Sequence, residues 1–269
     1  MRRTAGTLLA AGLLPNDLYA ASGVDFDFIA VNDLHFSDPK LCSPWFEAAF
    51  SAMREGAPKA EFLIAGGDLT DDGTAEQFAG IKEMFSLLEI PVFATPGNHD
   101  VSADGGRRDV YEQFFPGTTN YAFERGGWQF ISVNSAESRG YKDTSVPSET
   151  LRWLDDNLKK FDKKTPTIVS THFPLGDGMT YRPKNADDLL ERFKELNVRH
   201  IFNGHWHGYR EVPFQEGFIT TDRCCSRLRN NADGSPAKGW FHCQIRDGKL
   251  SRTFVSAPAE LLGKADAKS

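Results

Sequence analysis

Residues 26–35 read FDFIAVNDLH, an apolar run that ends in a polar block. Four later stretches have the same arrangement, and the short runs rich in Ile, Val and Phe lie at 26–31, 62–65, 92–95, 167–171 and 200–203. The segments between these runs have the pattern of helices. The runs therefore predict the buried strands of an α/β sheet.

A polar block follows each predicted strand. In chain order the blocks are Asp33-Leu34-His35, Gly67-Asp68, Gly97-Asn98-His99-Asp100, Thr171-His172 and Gly204-His205-Trp206-His207. In open α/β sheets, ligands bind outside the carboxyl ends of the strands, so we expect all five blocks to converge on one edge of the sheet. A single block has an ordinary explanation, because Gly-Asp and Gly-Asn are common turn pairs and a lone His often makes only structural hydrogen bonds. Five blocks in order favour a functional site, because a structural explanation needs five independent coincidences.

The blocks offer imidazole, carboxylate and amide groups as candidate metal ligands. These ligands are Asp33, His35, Asp68, Asn98, His172, His205 and His207. The set suffices for two metal ions that share one bridging carboxylate, and its chemistry suits divalent or trivalent transition metals such as Fe, Mn or Zn. Alternation along an extended segment also predicts that His205 and His207 point to the same side, with Trp206 facing away to pack.

The five blocks together resemble the motif pattern of the calcineurin-like metallophosphoesterases, and every element of that pattern is present. The stretch 66–73, GGDLTDDG, and the closing block are most similar to the bacterial class III cyclic-nucleotide phosphodiesterase branch. The resemblance implies an α/β fold of two packed mixed β-sheets flanked by helices, a four-layer sandwich. It also implies a dinuclear metal-dependent phosphoesterase in which a metal-bound hydroxide attacks the phosphorus of a small phosphodiester.

The resemblance further implies a role for each site residue. The first metal takes Asp33, His35 and His207, the second takes Asn98, His172 and His205, and Asp68 bridges them. Purple acid phosphatases carry a Tyr three positions after the bridging Asp, whereas this chain has Asp71 there, so no tyrosinate colour is expected.

His99 and Asp100 are the candidate catalytic residues. By resemblance, His99 stabilises the transition state and protonates the leaving group. We expect Asp100 to fix the tautomer of His99 by accepting a hydrogen bond from its ring. The alternative for His99 is a turn residue that makes one backbone hydrogen bond.

Composition limits the class of substrate. The chain of 269 residues, with 40% hydrophobic and 25% charged residues, is typical of a single globular domain. Its formal net charge of −6 leaves no basic footprint, so we expect a small phosphate-ester substrate and no nucleic acid polymer. A periplasmic phosphomonoesterase of the same fold remains the main alternative. A nuclease or a catalytically inactive binding scaffold is less favoured, because no basic groove is visible and no ligand is missing.

The chain divides into three parts. Residues 1–23 are interpreted as an export signal or a flexible N-terminus, because Arg2-Arg3 precede an apolar run at 7–14 and small residues at 20–22. Residues 24–258 form the metallophosphoesterase domain, and 259–269 a flexible tail. The protein would then be periplasmic or secreted, with a cytoplasmic amphipathic helix as the alternative for the N-terminus. No stretch approaches the roughly 20 apolar residues that span a bilayer.

The segments outside the five blocks predict further helices, strands and loops. Helices are predicted at 44–56, 74–89, 148–161 and 185–197, a hairpin at 120–133 around Gly126-Gly127, and further strands at 209–214, 218–221, 239–246 and 250–255, the last two joined through Asp247-Gly248. Buried free thiols are the default for the four cysteines, although Cys243 would be able to pair with Cys224 or Cys225 after export; the fourth is Cys42. The loops 135–147 and 174–184 are substrate-contact candidates, against the alternative of solvated loop residues, through Arg139, Tyr141, Lys142, Tyr181, Arg182 and Lys184.

Overall fold

The computed structural model describes residues 24–102 and 108–258. In chain order its elements are β1 (Phe26–Val31), α1 (Pro39–Gly56), β2 (Ala60–Gly66), α2 (Ala75–Ser86), β3 (Val92–Thr95), α3 (Asp109–Phe114), β4 (Asn120–Arg125), β5 (Trp128–Val133), α4 (Ser148–Asn157) followed by a 3-10 helix (Leu158–Lys160), β6 (Pro166–Ser170), α5 (Ala186–Phe193), β7 (Asn197–Asn203), β8 (Arg210–Phe214), β9 (Gly217–Thr221), β10 (Gly239–Arg246) and β11 (Lys249–Ser256).

The strands form two mixed sheets. The five-stranded sheet has the order β11-β10-β1-β2-β3, in which β1, β2 and β3 are parallel and β10 and β11 complete an antiparallel edge. The six-stranded sheet has the order β4-β5-β6-β7-β9-β8, in which the four central strands are parallel and the two edge strands are antiparallel to their neighbours. Two packed mixed sheets are what the sequence predicted.

Three apolar cores hold the layers together. Aromatic rings fill the space between the sheets, where Phe28 and Phe62 stack and Phe130 meets Phe62 edge-on. A second core, rich in phenylalanine, lies between the outer face of the first sheet and helices α1, α2 and α3. A third covers the six-stranded sheet with α4 and α5. The result is a helix–sheet–sheet–helix sandwich, with each sheet buried on both faces.

Helix boundaries differ from the sequence-based prediction at several ends: α2 stops at Ser86 rather than at residue 89, and α4 stops at Asn157 and continues as the 3-10 helix to Lys160. Helix α1 begins at Pro39 rather than at residue 44, because Asp38 caps it by accepting a hydrogen bond from Lys40 N at 2.8 Å, which leaves Pro44 inside the helix. Helix α5 ends at Phe193 because Asn197 already begins β7. The helix α3 was not predicted. The hairpin was, and Gly126 and Gly127 adopt the positive φ that its turn requires.

One topological expectation was wrong. The five polar blocks do not lie on one edge of one sheet, because β1, β2 and β3 belong to the five-stranded sheet and β6 and β7 to the six-stranded sheet. Apolar runs report burial and do not report which sheet a strand joins. The blocks meet instead where the carboxyl ends of the two sheets face each other.

Several other predictions concern the termini and the cysteines. The export signal at 1–23 and the tail at 259–269 lie outside the described residues. The four cysteines are buried free thiols, as expected. Among the described helices, none is both long and apolar enough to cross a membrane.

Candidate metal centre

The chain turns sharply where each strand ends and its polar block begins. Five of the candidate ligands have a positive φ, which is uncommon for residues other than glycine and clusters at functional sites; they are Asp33, His35, Asp68, His205 and His207. The segment 204–208 is consequently not extended, and the alternation argument for His205 and His207 was wrong. Both imidazoles still face the site, because each left-handed turn redirects its side chain. Trp206 is half-buried, and its ring lies against Gly208.

Backbone hydrogen bonds join the blocks to one another. Within the first sheet, Asp33 N donates to Gly67 O at 3.0 Å and His35 N to Asp68 O at 2.9 Å. Across the two sheets, His205 N donates to the Asp33 carboxylate at 2.9 Å. The candidate site is thus connected through the main chain as well as through its side chains.

The first cluster comprises Asp33, His35 and His207. His207 Nε2 lies 3.2 Å from Asp33 Oδ1 and 3.1 Å from His35 Nε2. His35 Nε2 is 3.9 Å from the same Asp33 oxygen. These are the three residues predicted for the first metal.

The second cluster comprises Asp68, His172 and His205. His172 Nε2 lies 3.3 Å from Asp68 Oδ2, 3.2 Å from His205 Nδ1 and 3.1 Å from Asn98 Oδ1. Asp68 Oδ2 is also 3.6 Å from His35 Nε2 of the first cluster. Asp68 therefore faces both clusters, as the bridging role requires.

Each of the four histidines is held by its outer nitrogen. The outer bonds are His35 Nδ1 to Asp71 Oδ1 at 3.0 Å, His172 Nδ1 to Gly66 O at 3.1 Å, His205 Nε2 to Tyr141 O at 2.8 Å and His207 Nδ1 to Asn230 O at 3.3 Å. Carbonyl and carboxylate oxygens only accept, so each outer nitrogen must donate and the lone pair of a neutral ring faces inward. Pairs of inward lone pairs about 3 Å apart repel unless a cation or a proton lies between them. The donor set therefore fits metal ions.

The charges of the clusters support the same interpretation. Burial alone would raise the pKa values of Asp33 and Asp68, but the neighbouring imidazoles hold both well below the ordinary value. Burial alone would lower the pKa of His172, yet the Asp68 carboxylate raises it to about 9, and Asp33 likewise raises the pKa of His207 to about 11. Each cluster is therefore a buried anionic site that binds one positive charge, which a metal cation would supply by displacing the proton.

His99 lies beside the first cluster, with its ring centroid 4.8 Å from that of His35. Its backbone N donates to Asp68 Oδ1 at 2.8 Å, and its Nδ1 donates to the backbone oxygen of Asp71 at 2.6 Å. The prediction that Asp100 orients the ring of His99 was wrong. The Asp100 carboxylate accepts instead from the backbone of Leu69, Thr70 and Gly97 and from the Thr70 hydroxyl. Through these hydrogen bonds, the Asp100 carboxylate stabilises the loop that carries Asp68.

Two residues that contact the site were missed from the sequence. Asp71 accepts from His35 through its carboxylate and from His99 through its backbone oxygen. Arg229, in the loop after β9, donates from Nε to Asp71 Oδ1 at 3.1 Å and forms a second bond from Nη2. The spacing Gly-Asp-x-x-Asp was a usable signal for Asp71, whereas no motif marks Arg229.

The two candidate loops contribute unequally. The Arg139 guanidinium donates to the backbone oxygens of Asp72, His99 and Val101. It therefore joins the two loops beside the site, after β2 and after β3. Arg182 donates to Leu175 O and pairs with Asp187. The tyrosines of the two loops lie together, Tyr141 and Tyr181, with ring centroids 5.7 Å apart.

Comparison with known proteins agrees with the geometry. The model of the family described as calcineurin-like phosphoesterase matches residues 26–209, the segment that carries every candidate ligand. The chain belongs to this family. The calcineurin-like phosphoesterases are metal-dependent phosphoester hydrolases, and so is this chain.

Two curated relatives and one solved structure show which members of the family the chain is similar to. The chain is 32% identical over 198 residues to a 3′,5′-cyclic-nucleotide phosphodiesterase of Nostoc sp., covering 70% of this chain and 71% of that protein. It is 31% identical over 161 residues to a probable glycerophosphodiester phosphodiesterase of Arcobacter nitrofigilis, covering 56% of this chain and 58% of that protein. Among solved structures, a dimetal phosphatase from Danio rerio superposes with a TM-score of 0.61 at 14% identity, covering 87% of this chain and 96% of that one. That likeness shows the fold.

Proposed function

We propose that this chain hydrolyses small phosphodiesters at a centre of two transition-metal ions, Fe, Mn or Zn. The ligands of the first ion would be Asp33, His35 and His207, and those of the second Asn98, His172 and His205, with Asp68 bridging. One observation carries the proposal: four imidazoles, each tied by its outer nitrogen to an acceptor, turn their inner nitrogens toward two buried carboxylates.

The chemistry divides between the ions and the protein. When bound, a pair of cations polarises the phosphoryl group and lowers the pKa of a water molecule. Hydrogen bonds between the polar blocks fix the positions of the ligand side chains, so these side chains need to move little when the substrate binds. His99 donates Nδ1–H to Asp71 O, which leaves Nε2 as the nitrogen that carries a proton to the leaving oxygen.

Asp71 and Arg229 support this arrangement without touching the reacting atoms. Burial alone would raise the pKa of Asp71, but its bonds to His35 and Arg229 hold it well below the ordinary value, so the carboxylate stays ionised. An ionised carboxylate on the outer nitrogen of His35 strengthens the inner nitrogen as a ligand.

The substrate class rests on similarity and on charge. The curated relatives include enzymes named for cyclic nucleotides and for glycerophosphodiesters. The net charge of −6 disfavours polymeric nucleic acid, which binds basic surfaces. A small diester therefore ranks first. A phosphomonoesterase with the same centre ranks second, because a two-metal clamp also accepts monoesters.

Export is a separate part of the proposal. It rests on Arg2-Arg3 and the apolar run at 7–14, with 24–258 as the catalytic domain. Fractionation of cells that express the full chain, against an Arg2→Lys/Arg3→Lys variant, tests it; equal cytoplasmic retention of both would contradict export.

The decisive assay compares kcat/KM for 2′,3′- and 3′,5′-cyclic nucleotides, glycerophosphodiesters and simple monoesters. We expect the diesters to be hydrolysed at least as efficiently as the monoesters. A monoester preference above about a hundredfold, about 2.7 kcal/mol in transition-state binding, would overturn the diesterase assignment. The Asp68→Ala variant, purified in the same way, reports any contaminating phosphatase.

A further inference from the structure

Two tyrosines lie at the mouth of the candidate metal centre. Tyr141 is in the loop between β5 and α4, and Tyr181 is in the loop between β6 and α5. The backbone oxygen of Tyr141 accepts the hydrogen bond from His205 Nε2 at 2.8 Å. The ring centroid of Tyr181 is 5.3 Å from that of His205. Both residues thus contact the same candidate ligand from two different loops, Tyr141 through its backbone oxygen and Tyr181 through its ring.

The rings of these tyrosines are exposed. Tyr141 is 52% and Tyr181 36% exposed, whereas most aromatic residues of the described chain are buried in the three cores. The two rings meet edge to face at 72°. No hydrogen bond of either phenol oxygen is found between the described residues. An exposed aromatic pair beside a reaction site offers a π surface that a planar ring can cover.

The loop that carries Tyr181 is held in place by its own contacts. Arg182 Nε donates to Leu175 O at 2.8 Å, which closes the loop on itself, and Arg210 Nη1 donates to Gly178 O at 3.2 Å. Tyr181 has a φ of 65°, an uncommon conformation for a residue with a side chain. Such a conformation persists only where the surroundings fix it, and it is concentrated at functional sites.

The surroundings also suit an anionic ligand. The Lys142 ammonium lies 5.4 Å from the centroid of the Tyr141 ring. A positive charge beside this ring attracts an anionic ligand such as a phosphate ester, in a chain whose formal net charge is −6.

We propose that Tyr141 and Tyr181 form a subsite for the base of a nucleoside phosphodiester whose ester group occupies the adjacent metal clusters. This inference rests on the proposed function and names the substrate class for the same site. Stacking on aromatic side chains accepts every base, because every base has a π-face, so the subsite recognises a base as a class rather than one particular base.

The experiment uses the full-length metal-loaded enzyme and two substrates that share one reactive ester. One is 3′,5′-cyclic AMP, and the other is its abasic analogue with hydrogen in place of adenine. The measured quantity is the ratio of their kcat/KM values. Partial unfolding of a variant lowers both values equally and leaves the ratio unchanged.

We expect the wild type to favour cyclic AMP by roughly 5- to 100-fold, the range that stacking of one base supplies. The double variant Tyr141→Ala/Tyr181→Ala should reduce this ratio toward one, and Tyr141→Phe/Tyr181→Phe should retain it. Phe218→Ala is the matched control. Phe218 is an aromatic residue that is 42% exposed at the N-terminal end of β9, away from the carboxyl ends of the strands where the site lies. The ratio measured for this variant should equal that of the wild type.

Two results would overturn the subsite alone: a wild-type ratio near one, or a ratio that survives the double alanine variant while diester hydrolysis is intact. The second result would mean that the tyrosines act only on His205. A wild type that hydrolyses none of the diesters tested would overturn the proposed function itself, and the subsite with it.

Discussion

Each candidate histidine ligand is held at two points, by an oxygen on its outer nitrogen and by its own strand-end turn. For three of the four, the oxygen belongs to the backbone, so no side-chain substitution removes it. His35 is the exception, because its partner is the Asp71 carboxylate. Asp71 is therefore the residue at which the orientation of a ligand can be tested.

Asp71→Ala should weaken metal binding at the first site by roughly 10- to 100-fold, because His35 loses both its orientation and the adjacent negative charge. Asp71→Asn keeps an acceptor oxygen and should fall between the alanine variant and the wild type. Metal affinity is measured by competition with a chelator. Asp155→Ala removes a comparable exposed carboxylate–arginine pair, Asp155 with Arg192, far from the site and serves as the control. Equal affinities in Asp71→Ala and Asp155→Ala would contradict the assignment.

His99→Ala should retain both metal ions and lose activity unevenly. If His99 protonates the leaving oxygen, the loss is larger for alkyl or ribose leaving groups than for p-nitrophenolate, which hardly needs a proton. The comparison of kcat for the two leaving-group classes is the measurement. Equal losses would show instead that His99 positions the phosphate.

At the scale of elements, the site depends on how closely the loops after the strands approach one another. Gly97 precedes Asn98 after β3, and a β-carbon at this position would overlap Asp68 Oδ1 and Asp68 N. Gly204 has the same relation to Asp33 Oδ2. These glycines let two loops from different strands pack backbone against carboxylate.

Gly97→Ala should displace Asp68 and reduce both metal content and activity by more than tenfold, since geometric errors of about 1 Å at a reacting centre cost that much or more. Gly56→Ala is the matched control, because a β-carbon there meets nothing within 4 Å. Metal content and kcat/KM are measured for both variants. Normal metal content in Gly97→Ala would refute the steric argument.

The sequence predicted the strands closely and the connections less well. The bounds of β1 and β3 match the apolar runs, because buried parallel strands are continuous apolar segments. Helix α3 was missed because six residues without a side-chain cap leave little periodic signal. The choice of sheet for β6 and β7 was missed because pairing is a long-range property.

For the candidate site, the sequence predicted which residues come together better than it predicted the hydrogen bonds between them. All seven candidate ligands lie at the two clusters, since their spacing after strands is a local signal. The tautomers were not predictable, because Asp71 and Asn230 reach the histidines through the tertiary fold. Asp100 was misassigned for the same reason: adjacency to His99 in sequence did not bring its carboxylate to the ring.

At the scale of the molecule, the site lies where two sheets meet, and the junction below it contains a buried carboxyl group. Asp222 follows β9, is 2% exposed, and borders a small cavity with Asn32, Ser170 and Asn203. Burial raises its pKa to about 8, although the backbone N–H of Arg223 opposes the shift. At neutral pH the group is therefore mostly protonated in the folded protein.

This raised pKa predicts a specific dependence of stability on pH. In the unfolded chain Asp222 ionises near its ordinary value of 3.8, so between about pH 4 and pH 8 the folded state holds the proton more tightly. Its contribution to stability is complete below that range and is lost as the pH rises through it, at up to about 1.4 kcal/mol per pH unit.

Asp222→Asn cannot ionise and should lack this decline. The free energy of unfolding, from urea titrations at pH 5 and pH 7.5, should fall more in the wild type than in the variant, by on the order of 1–3 kcal/mol. Other titrating groups are shared and cancel in the difference. Parallel declines in the two proteins would show that Asp222 is ionised in the folded state.

The central claim is that one carboxylate, Asp68, joins two metal sites, and the metal content of the protein tests it most directly. Elemental analysis after reconstitution should find about two transition-metal ions per chain in the wild type and fewer than one in Asp68→Ala. Asp72→Ala, which removes an exposed carboxylate four residues along the same loop, should keep about two. One ion or fewer per chain in the fully reconstituted wild type, or undiminished metal in Asp68→Ala, would contradict the account.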